Sequence, residues 1–217
     1  MSIKTKLGAA MLSTALGAAL VSGGSYALFT DDAVIKNNSF STGTVDLKVN
    51  GQDQTEQGFF NVSNFAPGDS ELGNDIKVSN AGSLDLFYRI LPVNVKVKTP
   101  QTDDWVTLFD ENGNFLGLPN DVHLNLSKLH ILVKDKMTNY VVLDLFADPN
   151  HSKGIRRLDA KSFSANHDTD QLVWSITLDK DAGNEFQRLE LKGDLKFQAV
   201  QAKNNQNKDG GPDSWGN

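Results

Sequence analysis

Histidine is the residue type here best suited to hold a catalytic metal, and there are four: His123, His130, His151 and His167. Metal-assisted hydrolysis needs such ligands held together, commonly two histidines four apart on a helix with a glutamate as base. No HExxH occurs, and the nearest pair, His123 and His130, is separated by seven positions. That spacing aligns two side chains on a helix but sends them to opposite faces of a strand. The pair is a weak candidate for zinc, and solvated loop or edge histidines are the simpler account of it. Asp148-Pro149-Asn150-His151 and His167-Asp168-Thr169-Asp170 gather oxygen and nitrogen donors, but in stretches that read as loops, where Asp and Asn are ordinary turn chemistry. Asp110-Glu111-Asn112-Gly113-Asn114 has half the acids of a calcium loop and lacks its closing glutamate, so it reads as a hairpin turn. There is no GxSxG nucleophile turn and no glycine-rich phosphate loop. With no cysteine, thiolate metal sites, a cysteine nucleophile, disulfides and a lipoprotein anchor are all ruled out. No catalytic residue and no cofactor are expected, zinc being the alternative.

The elements that must position these residues read as strands. Val45-Asp46-Leu47-Lys48-Val49, Ile76-Lys77-Val78 and Val93-Asn94-Val95-Lys96-Val97 alternate apolar with polar side chains, the period of a half-buried strand. Further strands are expected over 84–91, 105–109, 130–134, 140–146, 172–178 and 196–201. Asn50-Gly51, Pro67-Gly68-Asp69, Asn80-Ala81-Gly82, Glu111-Asn112-Gly113 and Lys192-Gly193-Asp194 supply turn residues between them. Residues 123–132 fit alternation in places and helical spacing in others, and 179–190 are similarly mixed, so short helices in connecting loops are allowed there. The fold class expected is all-β, a jelly-roll-like or immunoglobulin-like β-sandwich.

Both ends have a different composition. Lys4 and Lys6 precede an apolar run, residues 7–21, followed by Gly23-Gly24 and Ser25-Tyr26-Ala27, the order of a cleavable signal peptide. Cleavage is expected between Ala27 and Leu28, because about 15 apolar residues fall short of the ~20 that span a bilayer. The expected product is secreted, to the extracellular matrix or cell surface, with no stable membrane insertion. From Lys203 the chain is mostly Asn, Gln, Lys, Asp and Gly, a composition expected to leave 203–217 as a disordered polar tail. The domain plan is therefore leader 1–27, an N-terminal segment 28–38, a sandwich 39–202 and the tail. The net charge of −6 becomes more negative once the two leader lysines are removed, which disfavours nucleic acid as a partner.

The stretch Gly23-Gly24-Ser25-Tyr26-Ala27-Leu28-Phe29, followed by Asn38-Ser39-Phe40-Ser41-Thr42-Gly43-Thr44-Val45-Asp46-Leu47, resembles the opening of the TasA/camelysin (CalY) family. Asn64-Phe65-Ala66-Pro67-Gly68-Asp69, and then Ile76 through Leu86 with its Asn80-Ala81-Gly82-Ser83-Leu84 turn, look like that family's PGD turn and a following hairpin. Residues 195–202 are similar to its closing strand. The resemblance is clear over 1–91 and 190–202 and weak between. It implies a jelly-roll sandwich, processing by a dedicated signal peptidase, and head-to-tail self-assembly into biofilm-matrix fibres by donor-strand exchange, with an accessory matrix or anchoring protein as a further partner. It also carries a metalloendopeptidase label, which would imply zinc. An adhesin, the third class considered, would ordinarily show repeats or a wall anchor, and neither is present.

Leu28, Phe29, Ala33, Val34 and Ile35 form an apolar, β-prone segment that becomes a free end only after cleavage, and they are the expected donor strand. Four large apolar side chains contribute at most ~6–12 kcal/mol, while ordering about eight residues costs on the order of 8–16 kcal/mol. Main-chain hydrogen bonds along an open edge must then supply the remainder. The competing expectation is that residues 28–38 pair within their own subunit as an ordinary first strand.

Overall fold

The computed structural model describes residues 30–31, 44–53, 56–100, 102, 104–146, 154–161, 167–207 and 211–215. Within them the strands are β1 (Thr30–Asp31), β2 (Leu47–Val49), β3 (Glu56–Phe65), β4 (Ser70–Asn80), β5 (Leu86–Lys98), β6 (Val106–Thr107), β7 (Leu129–Asp135), β8 (Val141–Asp144), β9 (Arg156–Leu158), β10 (Thr169–Leu178) and β11 (Leu189–Gln201). The helical elements among the described residues are two single 3-10 turns, Leu126–Lys128 and Asn184–Phe186, both in regions of mixed periodicity.

Every ladder is antiparallel, and the strands form two sheets. The first is built on the long pair β5 and β11, with β1 and β3 on the far edge of β11 and β6 and β9 on the far edge of β5. The second runs β2-β4-β10-β7-β8. Strands alternate apolar and polar so that one face of each sheet is buried, as in β7 and β11. Tyr88, Ile90, Val95, Val97, Leu195 and Phe197 of the first sheet share one core with Ile76, Val78, Ile131, Val133, Leu172 and Ile176 of the second. The expected all-β sandwich is the observed architecture, and the chain passes repeatedly between sheets, as in a jelly roll.

Three local expectations are corrected. The Asn80-Ala81-Gly82-Ser83-Leu84 turn joins β4 of the second sheet to β5 of the first, so it is an arch between sheets and not a hairpin. Asn80, 2% exposed, braces it: its side-chain amide donates to the carbonyls of Leu84 (2.8 Å) and Asp159 (2.9 Å), and its Oδ1 accepts from the Gly82 N–H (2.9 Å). A Cβ at Gly82 would lie 2.2 Å from the Thr44 carbonyl oxygen, so only glycine fits that close approach.

Lys192-Gly193-Asp194 is not a turn but the middle of β11. Register slips there against both β3 and β5, a bulge at the one residue whose Cβ would come within 2.8 Å of the Phe60 ring.

Expected strands 84–91 and 93–97 are one strand, β5, whose inward positions change parity from Leu86, Tyr88 and Ile90 to Val95 and Val97. Asn94, at φ +53°, absorbs the extra residue. By contrast, Asp110-Glu111-Asn112-Gly113-Asn114 is the tight turn expected. The Asp110 carboxylate accepts from the Asn112 and Asn114 backbone N–H groups, and Phe109 bridges Phe115.

Candidate assembly edge

The outer edge of β11 is shared between two strands. β3 covers it from Leu189, opposite Phe65, to Lys196, opposite Glu56. Beyond Lys196 β11 continues to Gln201, and there the partner is β1, with Thr30 opposite Val200 and Asp31 opposite Ala199. Thr30 and Asp31 are thus joined to the domain along a stretch of edge that β3 does not reach. Of the two expectations for residues 28–38, pairing within the same subunit is what these two residues show. Ala27, Leu28, Phe29, Ala33, Val34 and Ile35 lie outside the described residues.

That stretch of edge is held from both faces. Asp31, Ala199, Tyr88 and Arg156 occupy one row across β1, β11, β5 and β9. Beneath the row, the Tyr88 hydroxyl donates to Asp170 Oδ2 of the opposite sheet at 2.6 Å. Arg156 grips the same carboxylate through Nε (2.9 Å) and Nη2 (2.8 Å), and Nη2 also donates to Asp135 Oδ2 at 2.7 Å. His167 Nε2 lies 3.0 Å from Asp170 Oδ1. Burial pushes the Asp170 carboxyl upward, but hydrogen bonds from Arg156 and Tyr88 outweigh it and hold the group below the ordinary aspartate range. Asp135 is likewise held low: hydrogen bonds from Thr138, with the nearby Arg156 charge, overcome its burial. Burial and the neighbouring Asp170 push the Tyr88 phenol well up, so it stays a neutral donor. Hydrogen bonding to Asp170 raises Arg156 and keeps it charged.

On the outer face, Phe87, Val200 and Ala202 form a second apolar cluster against which Trp215 packs. The Arg89 guanidinium stands 4.6 Å from the Trp215 ring centroid, and Arg89 Nε donates to Gln198 (2.9 Å). The buried Asn205 ties the tail back by accepting from the Asp213 and Ser214 backbone N–H groups and donating to the Ser214 carbonyl. Within 203–207 and 211–215 these contacts lay the chain back onto the first sheet. One tryptophan and one asparagine, placed over a ready apolar patch, supply the anchoring that the average polarity concealed.

The three described histidines do not converge. His130 is on β7 beside Asp179 (3.2 Å), His123 is exposed in the preceding loop, and His167 is engaged by Asp170. His151, with Asp148-Pro149-Asn150, lies outside the described residues. No group of three or more His, Asp or Glu able to hold a metal is found among the described residues. The Asp170 cluster was missed in sequence because His167-Asp168-Thr169-Asp170 reads as loop, whereas Asp170 is on β10 and faces inward. Its partners are distant in sequence, and no local spacing signals them.

Comparison with known proteins bears on this arrangement. The profile of the family described as camelysin metallo-endopeptidase matches residues 2–206. The chain belongs to the camelysin family. The match runs through 92–190, where motif resemblance alone is weak, so the whole camelysin-family sandwich is covered and not only its first strands. A stretch of 94 residues is 37% identical to a protein of Bacillus subtilis (strain 168) described as a major biofilm matrix component, covering 43% of this chain and 34% of that protein. This camelysin-family chain thus matches about a third of that relative's length. No solved structure matches significantly. No helix among the described residues is long and apolar enough to cross a membrane.

Proposed function

We propose that the mature chain is an extracellular structural subunit of a biofilm matrix, assembling head to tail through its N-terminal segment. The observation that carries this reading is β1: two residues of that segment pair with β11 along an edge that β3 leaves uncovered. A strand attached there through one edge can be exchanged for the same strand of a neighbour without disturbing the core. Signal-peptide cleavage after Ala27 frees Leu28, Phe29, Ala33, Val34 and Ile35 to make the exchange. Since the contact is head to tail and does not close on itself, it generates a filament. The biofilm-matrix relative supports this reading.

The experiment is electron microscopy of purified protein beginning at Leu28, beside a variant lacking 28–38. Filaments from the first and folded, dispersed monomers from the second are expected. Dispersed monomers from both, even after prolonged incubation at high concentration, would count against self-assembly. Casein cleavage that is lost to chelators would instead favour the endopeptidase named in the family description.

A further inference from the structure

We propose that the outer face of the first sheet carries a binding groove for an acidic polysaccharide, one bearing carboxylates as well as hydroxyls, centred on Lys96 and Lys192. These lysines are direct cross-strand neighbours on β5 and β11. Like charges so placed are separated by about 5 Å at the Cβ atoms and destabilise a sheet unless an anion lies between them. Neither lysine has a carboxylate ion pair among the described residues, and the Lys192 ammonium instead lies 4.0 Å from the Trp105 ring centroid. The two lysines line a groove of about 400 Å³ together with Asn61, Asn94 and Asp194.

The backbone beneath is irregular. β11 slips register against both neighbours at Gly193, and Asn94 sits at φ +53°. Bulges of this kind re-aim side chains next to binding sites. Here they accompany two asparagine amides on the groove with no intramolecular partner among the described residues.

The lining selects its ligand. Two ammonium groups suit carboxylates, and the asparagine amides and the Asp194 carboxylate suit hydroxyls as donor and acceptor partners. A neutral glycan would leave the lysine pair unanswered. The site is separate from the β1 edge, so it does not depend on fibre assembly.

Calorimetric titration of the mature protein with an oligogalacturonate tests the assignment. Saturable binding is expected, weakened about tenfold or more in the double variant Lys96→Gln, Lys192→Gln, and weakened by added salt. Asn94→Gly keeps the backbone conformation while removing the amide, and is expected to weaken binding several-fold. The lysine variant should keep the β-sheet circular dichroism spectrum of the parent, which separates loss of the groove's charge from loss of the fold. No saturable binding, unchanged binding by the double variant, or equal binding of neutral dextran would overturn the proposal. So would equal binding of single-stranded DNA, which would show a general polyanion surface.

Discussion

Asp170 is the residue on which the two sheets are most closely joined, with a side chain 2% exposed and donors from β5 and β9 around it. Removing one member of a buried, hydrogen-bonded ion pair leaves the other charge uncompensated, at a cost of about 3–5 kcal/mol. Asp170→Asn and Arg156→Met should each show that loss in denaturant unfolding, and Tyr88→Phe, which removes one hydrogen bond to a charged acceptor, about 1.5–3 kcal/mol. The pH dependence has a definite sign. Because the folded-state values of Asp170 and Asp135 are depressed, their contribution is complete above the ordinary value of 3.8 and is lost as pH falls through the lower folded values. Asp170→Asn should therefore flatten the acid limb of a thermal-stability profile. Unchanged acid sensitivity would show that other carboxylates govern it. At Gly82, alanine should cost about 1–3 kcal/mol, because the Thr44 carbonyl must move to admit a methyl group.

Among the elements, strands with clean alternation were legible: β7 and β10 lie close to where the sequence places them, and the Asn50-Gly51 and Asp110–Asn114 turns occur as read. β3 was not legible. Phe60 and Val62 face the core, but a bulge with Asn64 at φ +56° shifts the next inward residue to Phe65, so period two is broken inside one strand. The same parity change split β5 into two apparent strands. The Asp170 cluster was hidden for another reason: its members come from four separate strands, β5, β7, β9 and β10, and their pairing is a property of topology. The C-terminal tail is an element that composition concealed. Truncation after Ala202, or Trp215→Ala, should remove an apolar contact and a cation–π contact, lowering stability by about 1–3 kcal/mol without altering the β-sheet circular dichroism spectrum. A truncated protein as stable as the full chain would show that the strap contributes nothing to the fold.

For the whole molecule, the row Asp31, Ala199, Tyr88 and Arg156 links the edge of β11 that β1 covers to the bond between the sheets. In the proposed exchange, β11 is already paired with β5 along its other edge, so little of it need be ordered when a strand docks. The most direct test uses the absence of cysteine from the chain. Asp31→Cys and Ala199→Cys are prepared as separate variants of the mature protein, mixed, assembled and oxidised. Exchange predicts disulfide-linked dimers joining one variant to the other within filaments. Filaments with no such link, alongside ready closure of the disulfide inside a single chain carrying both substitutions, would contradict it: the N-terminal strand would then belong to its own subunit.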